Sequence, residues 1–401
     1  MSAILPTERV TAATLGDLGR SPRMLNHAWA AAEAGHATSL VGYAESALDQ
    51  ATARHPRIDV VAVRPAGRAP EGSSRLMVMV YSVIKGVVLA LRLFLALMRA
   101  RAGLYIVQNP PSLPTLPATW LAARLVGARW IVDWHNFGYA MAALRLGKDS
   151  GFVALVRRLE YFFARRADGH LCVSQAMAVR LREESGLEAA VLYDLPRERP
   201  VRVTEEDRCR QRSLLAEGAG GLLAVCPTSW TADEDVDLLL DALEEREYSA
   251  SRVPLEVVIT GKGPQKPAGE ARIVALRLEK STVRTAFLSP EDYRGLLRAA
   301  DMGISLHSSA SGVDLPMKIV DMFSERTPVA ALDYGPVLAE QVEMGVTGWG
   351  FRTAQELAAL LDRLASEPDA IESARQAIEE GSRESWGEAW RLAVSVTVAP
   401  R

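Results

Sequence analysis

The sequence predicts an α/β protein of two domains, each built on a parallel sheet. Short apolar runs recur along the 401 residues, and most are followed by a polar loop and then by a helical segment. This alternation is typical of buried parallel strands joined by crossover helices. The chain is too long for one small core, and its length favours two domains of roughly 200 residues each.

The amino-acid composition limits the kinds of molecule that we expect this protein to bind and the compartment in which we expect it. The formal net charge of −3 argues against nucleic acid as a main partner. The three cysteines, Cys172, Cys209 and Cys226, show no CxxC spacing, which favours reduced thiols of a cytoplasmic protein over a disulfide framework or a zinc site. Residues 1–9 lack a basic segment followed by an apolar run, so we expect no secretory signal.

The first predicted strand, 10–15, leads through a loop into a helix over 26–34. The loop contains two glycines and two arginines, Gly16, Gly19, Arg20 and Arg23. The glycines would allow a ligand to approach the backbone, and the arginines could bind a pyrophosphate. The alternative is a solvated turn with two surface arginines. The loop lacks GxGxxG, so a nicotinamide site is not indicated.

The other elements of the first domain follow the same alternation. Strands are predicted at 38–41, 58–63, 104–108, from 129 to about 133, at 168–174 and at 190–193, where the runs are short and apolar or β-branched. Helices are predicted at 113–126, 152–165 and 174–182, the last with Ser174 as its N-cap.

A long apolar run covers 76–98 and is long enough to cross a bilayer. Lys85, Arg92 and Arg99 recur at intervals of seven, so they would form one basic stripe on a helix. A strand follows directly, and a membrane crossing would separate it from its sheet. We therefore expect a helix that lies partly in the membrane interface, with its basic residues near anionic headgroups. The alternative is a core helix with a solvated basic stripe.

The strand that begins at 129 runs into a polar and aromatic loop. Asp133 and His135 lie at the carboxyl end of this predicted parallel strand, where α/β folds place their chemistry. His135 could act as a general base or bind a sugar hydroxyl, and Asp133 could do either or orient the imidazole. Trp134 and Tyr139 could stack on a pyranose. The alternative is a histidine satisfied at a strand end.

The second half repeats the strand–loop–helix order. A strand over 222–226 precedes a loop that contains Ser229, and the acidic first turn of the next helix argues against phosphate there. A strand over 255–260 is followed by Gly261-Lys262-Gly263. Two glycines around a lysine allow a pyrophosphate to lie against the backbone beside a fixed charge, although a plain turn is the alternative.

The stretch 301–333 is the most informative part of the chain. A predicted strand, a loop of Ser, Gly and Asp, and a helix over 318–323 follow one another, with Pro316 before the first helical turn. Free backbone N–H groups and the helix dipole suit phosphate at such a place. Lys318 adds a positive charge, and the carboxylate of Asp321 suits a ribose diol. The alternative is an ordinary strand–helix unit.

Five runs resemble one family of glycosyltransferases. They lie at 16–23, 133–139, 228–235, 260–266 and 307–323. These runs resemble the chitobiosyldiphosphodolichol β-mannosyltransferases, which add the first mannose to a lipid-linked chitobiose and take it from GDP-mannose. The resemblance implies the GT-B fold, in which two Rossmann-like domains with parallel sheets face a central cleft. It also implies a reaction that inverts the anomeric centre.

The resemblance implies a role for each candidate residue. The proton acceptor would be Asp133 or His135, with Asp17 as the third candidate. Acceptor binding would involve Gly16, Gly19, Arg20, Arg23, Trp134 and Tyr139. Nucleotide-sugar binding would involve Ser229, Gly261, Lys262, Gly263, Phe287, His307, Ser311, Gly312, Asp314, Pro316, Met317, Lys318 and Asp321. We expect no metal or other cofactor, because the lysines and helix N-termini could hold the diphosphate.

The expected domains are an acceptor-binding domain over 1–198 and a nucleotide-sugar domain over 199–382. A terminal helix within 383–401 would return to the first domain. The expected partners are a nucleotide sugar, a glycan or lipid-linked acceptor and a membrane surface through 76–98. We expect a cytoplasmic protein, peripheral on the inner face of the cell membrane, of a bacterial type without the N-terminal anchor of eukaryotic members. Two alternatives remain, a retaining enzyme of the same fold with another nucleotide sugar, and a non-catalytic peripheral membrane protein.

Overall fold

The computed structural model describes residues 8–67, 74–197, 204–215, 221–309, 311–381 and 385–397. The chain divides into two compact units. Unit 1 consists of Met1–Arg197 and Trp386–Arg401, and unit 2 consists of Glu198–Ser385. The predicted boundary between 198 and 199, and parts of the predicted terminal segment at 383–401, lie outside the described residues.

Unit 1 contains a seven-stranded sheet in the order β3-β2-β1-β4-β5-β6-β7, with every pair parallel. Its strands are β1 Val10–Asp17, β2 Thr38–Tyr43, β3 Ile58–Ala62, β4 Leu104–Asn109, β5 Arg129–Trp134, β6 Gly169–Cys172 and β7 Ala190–Val191. Its helices are α1 Pro22–Glu33, α2 Gln50–Ala53, α3 Arg75–Ala100, α4 Thr115–Val126, α5 Gly138–Leu146, α6 Gly151–Ala164, α7 Gln175–Ser185 and α15 Trp386–Thr397.

Unit 2 contains a six-stranded parallel sheet in the order β10-β9-β8-β11-β12-β13. Its strands are β8 Leu222–Pro227, β9 Leu255–Thr260, β10 Ser281–Ala286, β11 Met302–Ser305, β12 Val329–Leu332 and β13 Gly348–Phe351. Its helices are α8 Glu205–Leu215, α9 Val236–Glu247, α10 Lys266–Ala275, α11 Pro290–Ala299, α12 Met317–Ser324, α13 Ala354–Ser366 and α14 Pro368–Gly381.

Each sheet reverses its strand order once, and the reversal determines where a ligand can enter. In unit 1 the chain moves outward from β1 to β3 and then returns to pair β4 with β1. In unit 2 the equivalent reversal lies between the neighbouring strands β8 and β11. Crevices in open parallel sheets form at the carboxyl ends of strands on either side of such a reversal. The loops after β1 and β4, and after β8 and β11, are therefore the expected sites.

The C-terminal helix α15 packs against the sheet of unit 1. Trp386 and Trp390 are buried in one apolar cluster with side chains from β1, β4, β5 and β6, among them Val10 and Ile131. The two tryptophans are four residues apart and therefore share one helix face. Although α15 follows unit 2 in the sequence, its buried face is part of the core of unit 1.

Helix α3 is buried along one side only. Leu89, Leu93 and Leu97 are at most 8% exposed, and α3 packs beside β1, β2 and β3. The opposite side carries apolar side chains that are 43–64% exposed, namely Met77, Val80, Val83, Ile84, Val87, Leu91 and Leu95. The segment Val80–Ala100 is long and apolar enough to cross a membrane, with a mean hydropathy of 2.0. Its buried side, however, is tied to the sheet, and the Tyr105 hydroxyl at β4 donates to the Leu97 carbonyl at 3.0 Å.

Two helices, α5 and α10, were not predicted from the sequence. Helix α5 begins at Gly138, inside the predicted polar and aromatic loop, because the backbone N–H groups of Gly138 and Tyr139 donate to the buried carboxyl of Glu160. Helix α10 contains Gly269 beyond its first turn, and glycine disfavours a helix by propensity. A side chain at Gly269 would place its Cβ 2.3 Å from the Trp230 ring, so close packing overrides the propensity.

Candidate active site

The site in unit 1 is centred on Asp133, near the end of β5. Its side chain is fully buried, and its two oxygens accept four hydrogen bonds. Arg23 donates from Nε at 2.8 Å and from Nη2 at 2.7 Å. His27 Nε2 and His135 Nε2 each lie 3.1 Å from Oδ2 of the same carboxylate. The site thus joins α1 to the loop that follows β5.

The hydrogen bonds assign the tautomer of His27. The indole N–H of Trp390 can only donate, and it lies 2.9 Å from Nδ1 of His27. Nδ1 is therefore the acceptor, and the ring proton resides on Nε2, from which it is donated to Asp133. Complete burial lowers the pKa of His27, so the imidazole is neutral near pH 7.

The surroundings of Asp133 favour its ionised form. Burial alone would raise the pKa of its carboxyl, but the Arg23 guanidinium and the donated hydrogen bonds hold that pKa well below its usual range. The carboxylate has no exposed surface from which to receive a proton. The prediction that Asp133 acts directly as the base is therefore wrong, and the alternative that it orients the imidazole of His135 fits the geometry.

Two predicted acceptor-binding residues, Arg23 and Trp134, are buried in the interior of unit 1. Arg23 is 1% exposed, and besides Asp133 it donates to Asp194 and to the Leu192 carbonyl, both at 2.8 Å. Trp134 is fully buried, and its indole N–H donates to His170 at 3.3 Å. The predictions that Arg23 binds pyrophosphate and that Trp134 stacks on a sugar are therefore wrong. Both side chains instead stabilise the interior of the unit.

His135 differs from these neighbours because its side chain reaches the surface, with 22% of it exposed. Since Asp133 is ionised, the ring nitrogen that faces it, Nε2, must carry the proton. Nδ1 of His135 has no hydrogen-bond partner among the residues that the structure describes. A neutral imidazole with one free nitrogen at the surface is suited to accept a proton from a hydroxyl group.

Asp17 and the loop after β1 have mainly structural contacts. The Asp17 carboxylate accepts from the backbone N–H of Ser46 at 3.0 Å and of Glu45 at 3.2 Å. Although burial opposes it, hydrogen bonding to Ser46 lowers the pKa of Asp17, which makes it a weak base. A Cβ at Gly19 would lie 2.6 Å from the Ala47 carbonyl oxygen, so that glycine is needed for loop packing.

The geometry neither supports nor contradicts the remaining acceptor-binding predictions. Arg20 is exposed beside Asp17, and Gly16 lies at the carboxyl end of β1. Tyr139 is half-buried, and its hydroxyl donates to Glu184 at 2.8 Å. Its ring packs near Phe137, with the centroids 5.3 Å apart. These residues stay candidates for acceptor binding.

The site in unit 2 joins the loops that follow β8, β9 and β11. Gly261, with φ +107°, and Gly263 pack against the β8 loop, where a Cβ on either would lie 1.9 Å from the carbonyl oxygen of Thr228 or Ser229 respectively. The backbone N–H of Ser308 donates to the Asp233 carbonyl at 2.9 Å, which ties the β11 loop to the same segment. Three sequence-predicted segments thus meet at one sheet edge.

Lys318, in the first turn of α12, contacts the β8 loop. Its ammonium forms an ion pair with Glu234 and lies 3.5 Å from the Ser229 hydroxyl. Glu234 is buried and also accepts from the Thr228 hydroxyl at 2.9 Å. Because an ammonium has three donors, Lys318 retains the capacity to bind a phosphate oxygen beside Ser229.

The β11 loop is held in shape by the carboxylate of Asp314. It accepts from His307 Nε2 at 3.2 Å, from Ser311 at 2.9 Å and from Ser309. These bonds outweigh burial and lower the pKa of Asp314. Gly312 has φ +73°, a conformation that favours glycine, and its N–H donates to Ser309. Asp314 therefore orders the loop, and its binding to sugar hydroxyls stays a prediction.

The other predicted nucleotide-sugar residues lie around these loops. Pro316 is the N-cap of α12, Met317 is the first residue of the helix, and Asp321 is exposed one turn further along. Lys262 is exposed, and its ammonium lies 4.6 Å from the centre of the Phe287 ring. Strand β10 ends at Ala286, so Phe287 lies just beyond its end and is 65% exposed.

Sequence reasoning missed three residues of the unit 1 site. These are His27, Asp194 and Trp390. His27 lies four residues after Arg23 on the same face of α1, and the tryptophans share a similar spacing on α15. That spacing is a signal, but it is equally typical of packing residues. Among the described residues, no group of three His, Cys, Asp or Glu side chains is arranged to hold a metal ion.

Comparison with known proteins agrees with this architecture. Residues 19–193 match the family model described as "Glycosyl transferase 4-like domain", and residues 222–384 match "Glycosyl transferases group 1". The crystal structure of Anabaena Alr3699/HepE in complex with UDP superimposes with a TM-score of 0.71 at 15% identity, covering 97% of this chain and 99% of that one. At that identity the likeness concerns the fold alone.

Two relatives are similar over most of their length. The chitobiosyldiphosphodolichol β-mannosyltransferase of Arthroderma benhamiae is 38% identical over 372 residues, covering 86% of this chain and 83% of that protein. The UDP-glycosyltransferase TURAN of Arabidopsis thaliana is 34% identical over 444 residues, covering 95% of each. With two Rossmann-like units, both glycosyltransferase domains and this level of identity, the chain belongs to the chitobiosyldiphosphodolichol β-mannosyltransferase family of GT-B glycosyltransferases.

Proposed function

We propose that this protein transfers mannose from GDP-mannose to a glycan carried on a lipid diphosphate, with inversion at the anomeric carbon. The observation that carries the proposal is the convergence of Lys318, Ser229 and the start of α12 at one edge of the unit 2 sheet. The relatives that bear the mannosyltransferase name are 33–38% identical to this chain. Their name describes a β-mannosyl bond to a chitobiosyl diphosphodolichol.

The chemistry requires a base and a holder for the leaving group. The acceptor hydroxyl oxygen forms a bond to C1 of mannose while the bond from C1 to the diphosphate oxygen breaks, and the electron pair leaves with GDP. Nδ1 of His135 takes the hydroxyl proton. Lys318 and the N–H groups at the start of α12 stabilise the negative charge that develops on the diphosphate. Lys262 is the second cation for the diphosphate, and Asp321 binds the ribose.

The donor is tested by calorimetric titration with GDP, UDP and ADP. We expect GDP to bind most tightly and Lys318→Ala to weaken it by roughly tenfold or more, since one charge-assisted contact is lost. Lys148→Ala removes an exposed lysine of unit 1 and is the matched control. Tighter binding of UDP would replace the GDP assignment, and binding of no nucleotide would contradict the enzymatic proposal.

A second candidate is a retaining enzyme of the same fold that uses another nucleotide sugar. The name of the Arabidopsis relative, a UDP-glycosyltransferase, supports the other nucleotide of this candidate and does not bear on retention. Nuclear magnetic resonance of the product distinguishes the two, because the β anomer is expected from inversion of GDP-α-mannose and the α anomer from retention.

We also propose that unit 1 contacts an anionic membrane through helices α3 to α6. Helix α3 packs beside α4, and both α4 and α5 pack beside α6. Beyond α3, exposed apolar side chains continue on these helices, namely Leu121, Leu125, Met141, Leu144, Leu146, Phe152, Leu155 and Phe162. The sequence of the four helices contains one acidic residue, Glu160, which is buried. Apolar side chains among basic residues fit a lipid surface with negative headgroups.

Vesicle sedimentation tests this contact. The protein should bind vesicles of phosphatidylcholine with phosphatidylglycerol, and bind less to phosphatidylcholine alone. Val87→Glu should reduce binding severalfold, because it places a carboxylate on a residue that is 64% exposed on α3. Val274→Glu is the control, since Val274 on α10 of unit 2 is 86% exposed. Equal binding by both variants would show that α3 does not contact the lipid.

A further inference from the structure

We infer that Trp390, on the C-terminal helix α15, is a positioning residue for His135. The link runs from the Trp390 indole to His27, from His27 to Asp133 and from Asp133 to His135. It rests on the proposed role of His135 as the base. Nothing in the chemistry of acceptor binding would assign a role to a tryptophan more than 250 residues beyond His135 in the sequence.

The first step of the link is the hydrogen bond from Trp390 to His27. Trp390 is 2% exposed and has a single polar hydrogen, which it donates to Nδ1 of His27 at 2.9 Å. If that donor were absent, Nδ1 of His27 would be a buried acceptor without a partner, and the imidazole would no longer be held in its orientation. The Nε2 donor would then shift from its position 3.1 Å from Oδ2 of Asp133.

The second step is the set of hydrogen bonds to one oxygen of Asp133. Oδ2 accepts a hydrogen bond from Arg23 Nε at 2.8 Å, and one each from His27 Nε2 and His135 Nε2 at 3.1 Å. Three donors saturate this oxygen, so the orientation of the carboxylate depends on all of them. Loss of the His27 donor would allow Oδ2 to move, and the imidazole of His135 would lose its fixed tautomer and direction.

The third step is the consequence for catalysis. With its proton held on Nε2 by Asp133, His135 exposes Nδ1 as the basic atom. A base that rotates or changes tautomer removes the proton less often in the correct geometry, while substrate binding is unaffected. A change in Trp390 should therefore lower kcat and leave KM unchanged.

The two tryptophans of α15 provide a matched test. Trp386 is also buried, and its indole nitrogen has no hydrogen-bond partner among the described residues. Trp386→Phe and Trp390→Phe therefore remove the same atoms from one helix, but only the second breaks a hydrogen bond. We expect kcat to fall about tenfold for Trp390→Phe and to stay close to the wild type for Trp386→Phe. Equal losses at equal thermal stability would overturn the inference.

His27 offers a second pair. Glutamine at this position can accept from Trp390 with its carbonyl and donate to Asp133 with its amide, so His27→Gln should retain most of kcat. His27→Leu loses both bonds and should match Trp390→Phe. If glutamine and leucine reduce kcat alike, the proposed chain of hydrogen bonds is wrong.

A measurement independent of turnover separates this inference from the proposed reaction. Nitrogen-15 resonances of the His135 ring should show a proton on Nε2 in the wild type and in Trp386→Phe, and a mixture of tautomers in Trp390→Phe. An unchanged spectrum in Trp390→Phe would overturn the inference. If the spectrum changes as expected but the wild type transfers no mannose, the positioning holds and the proposed reaction fails.

Discussion

Arg23 and Asp133 show how a buried charge shapes this protein. Both side chains are at most 1% exposed and are joined by two hydrogen bonds. Arg23 also forms an ion pair with Asp194 at 2.8 Å and faces the Trp386 ring at 5.0 Å. Buried charged side chains are stable only when every charge has a partner. Removal of one of them would leave another buried charge without a counter-ion.

Removal of the Asp133 charge should therefore be costly. We expect Asp133→Asn to lower the free energy of unfolding by about 3–5 kcal/mol, the usual result of breaking a buried ion pair. Urea denaturation measures the change. Arg352→Met is the control, because its pair with Asp333 is exposed and should matter little. A small loss for Asp133→Asn would mean that Asp194 alone balances Arg23.

Gly261 illustrates a residue whose role depends on a neighbouring loop. A Cβ there would lie 1.9 Å from the Thr228 carbonyl oxygen, and φ is +107°. We expect Gly261→Ala to cost about 2–4 kcal/mol through backbone strain and overlap together. Gly35→Ala is the matched control, since Gly35 has φ +97° but no atom within 4 Å of the Cβ position. Thermal unfolding of the two variants should differ clearly, and equal losses would show that the overlap is relieved.

Sequence reasoning predicted strands better than it predicted roles. Buried parallel strands are continuous apolar runs, and the runs beginning at Val10, Leu104 and Leu255 confirm that rule. The site residues were harder because their surroundings come from distant parts of the chain. Asp133 is surrounded by Arg23 and His27, about 110 residues away, and no local pattern indicates that burial. The ion pair of Lys318 with Glu234 likewise joins residues that are 84 positions apart in the sequence.

Helix α5 depends on a titratable anchor. The Glu160 carboxyl accepts from the N–H groups of Gly138 at 2.8 Å and Tyr139 at 3.2 Å, and from Asn109 at 2.7 Å. Burial outweighs these bonds and raises the pKa of Glu160 to about 7. The folded protein therefore retains this proton between about pH 4.5 and 7, where an unfolded glutamic acid has already lost it.

Stability should consequently fall as pH rises through that window. The contribution of Glu160 is fully present below about pH 4.5 and is lost as pH passes 7, which amounts to up to about 3 kcal/mol. Glu160→Gln cannot lose a proton, so its free energy of unfolding should decline less between pH 5 and 8 than that of the wild type. Urea denaturation at both pH values measures the two slopes. Parallel slopes would show that Glu160 is ionised in the folded protein.

The two units differ in how the chain completes them. Unit 2 is one continuous segment, whereas unit 1 needs α15 from the far end of the chain. Trp386 and Trp390 are at most 2% exposed in the cluster that covers the unit 1 sheet. Without α15, that apolar surface would face water, at a cost of roughly 1.5–3 kcal/mol or more for each large side chain.

A chain that stops after Ser385 should lose unit 1 selectively. Differential scanning calorimetry should show the unit 2 transition near its wild-type temperature and the unit 1 transition lowered or absent. Binding of GDP should still raise the unit 2 transition, which identifies it. A synthetic peptide of residues 386–397 added in trans should restore the unit 1 transition. Two unchanged transitions would mean that α15 contributes little to the core.

The position of α15 also affects how the protein is made. A ribosome synthesises the sheet of unit 1 within the first half of the chain, but the two tryptophans that cover it emerge only after all of unit 2. During that interval the uncovered sheet of the nascent chain is open to chaperones and to wrong partners. Unit 2 can fold earlier, because it needs no segment made later. The first domain to be translated is thus the last one to be finished.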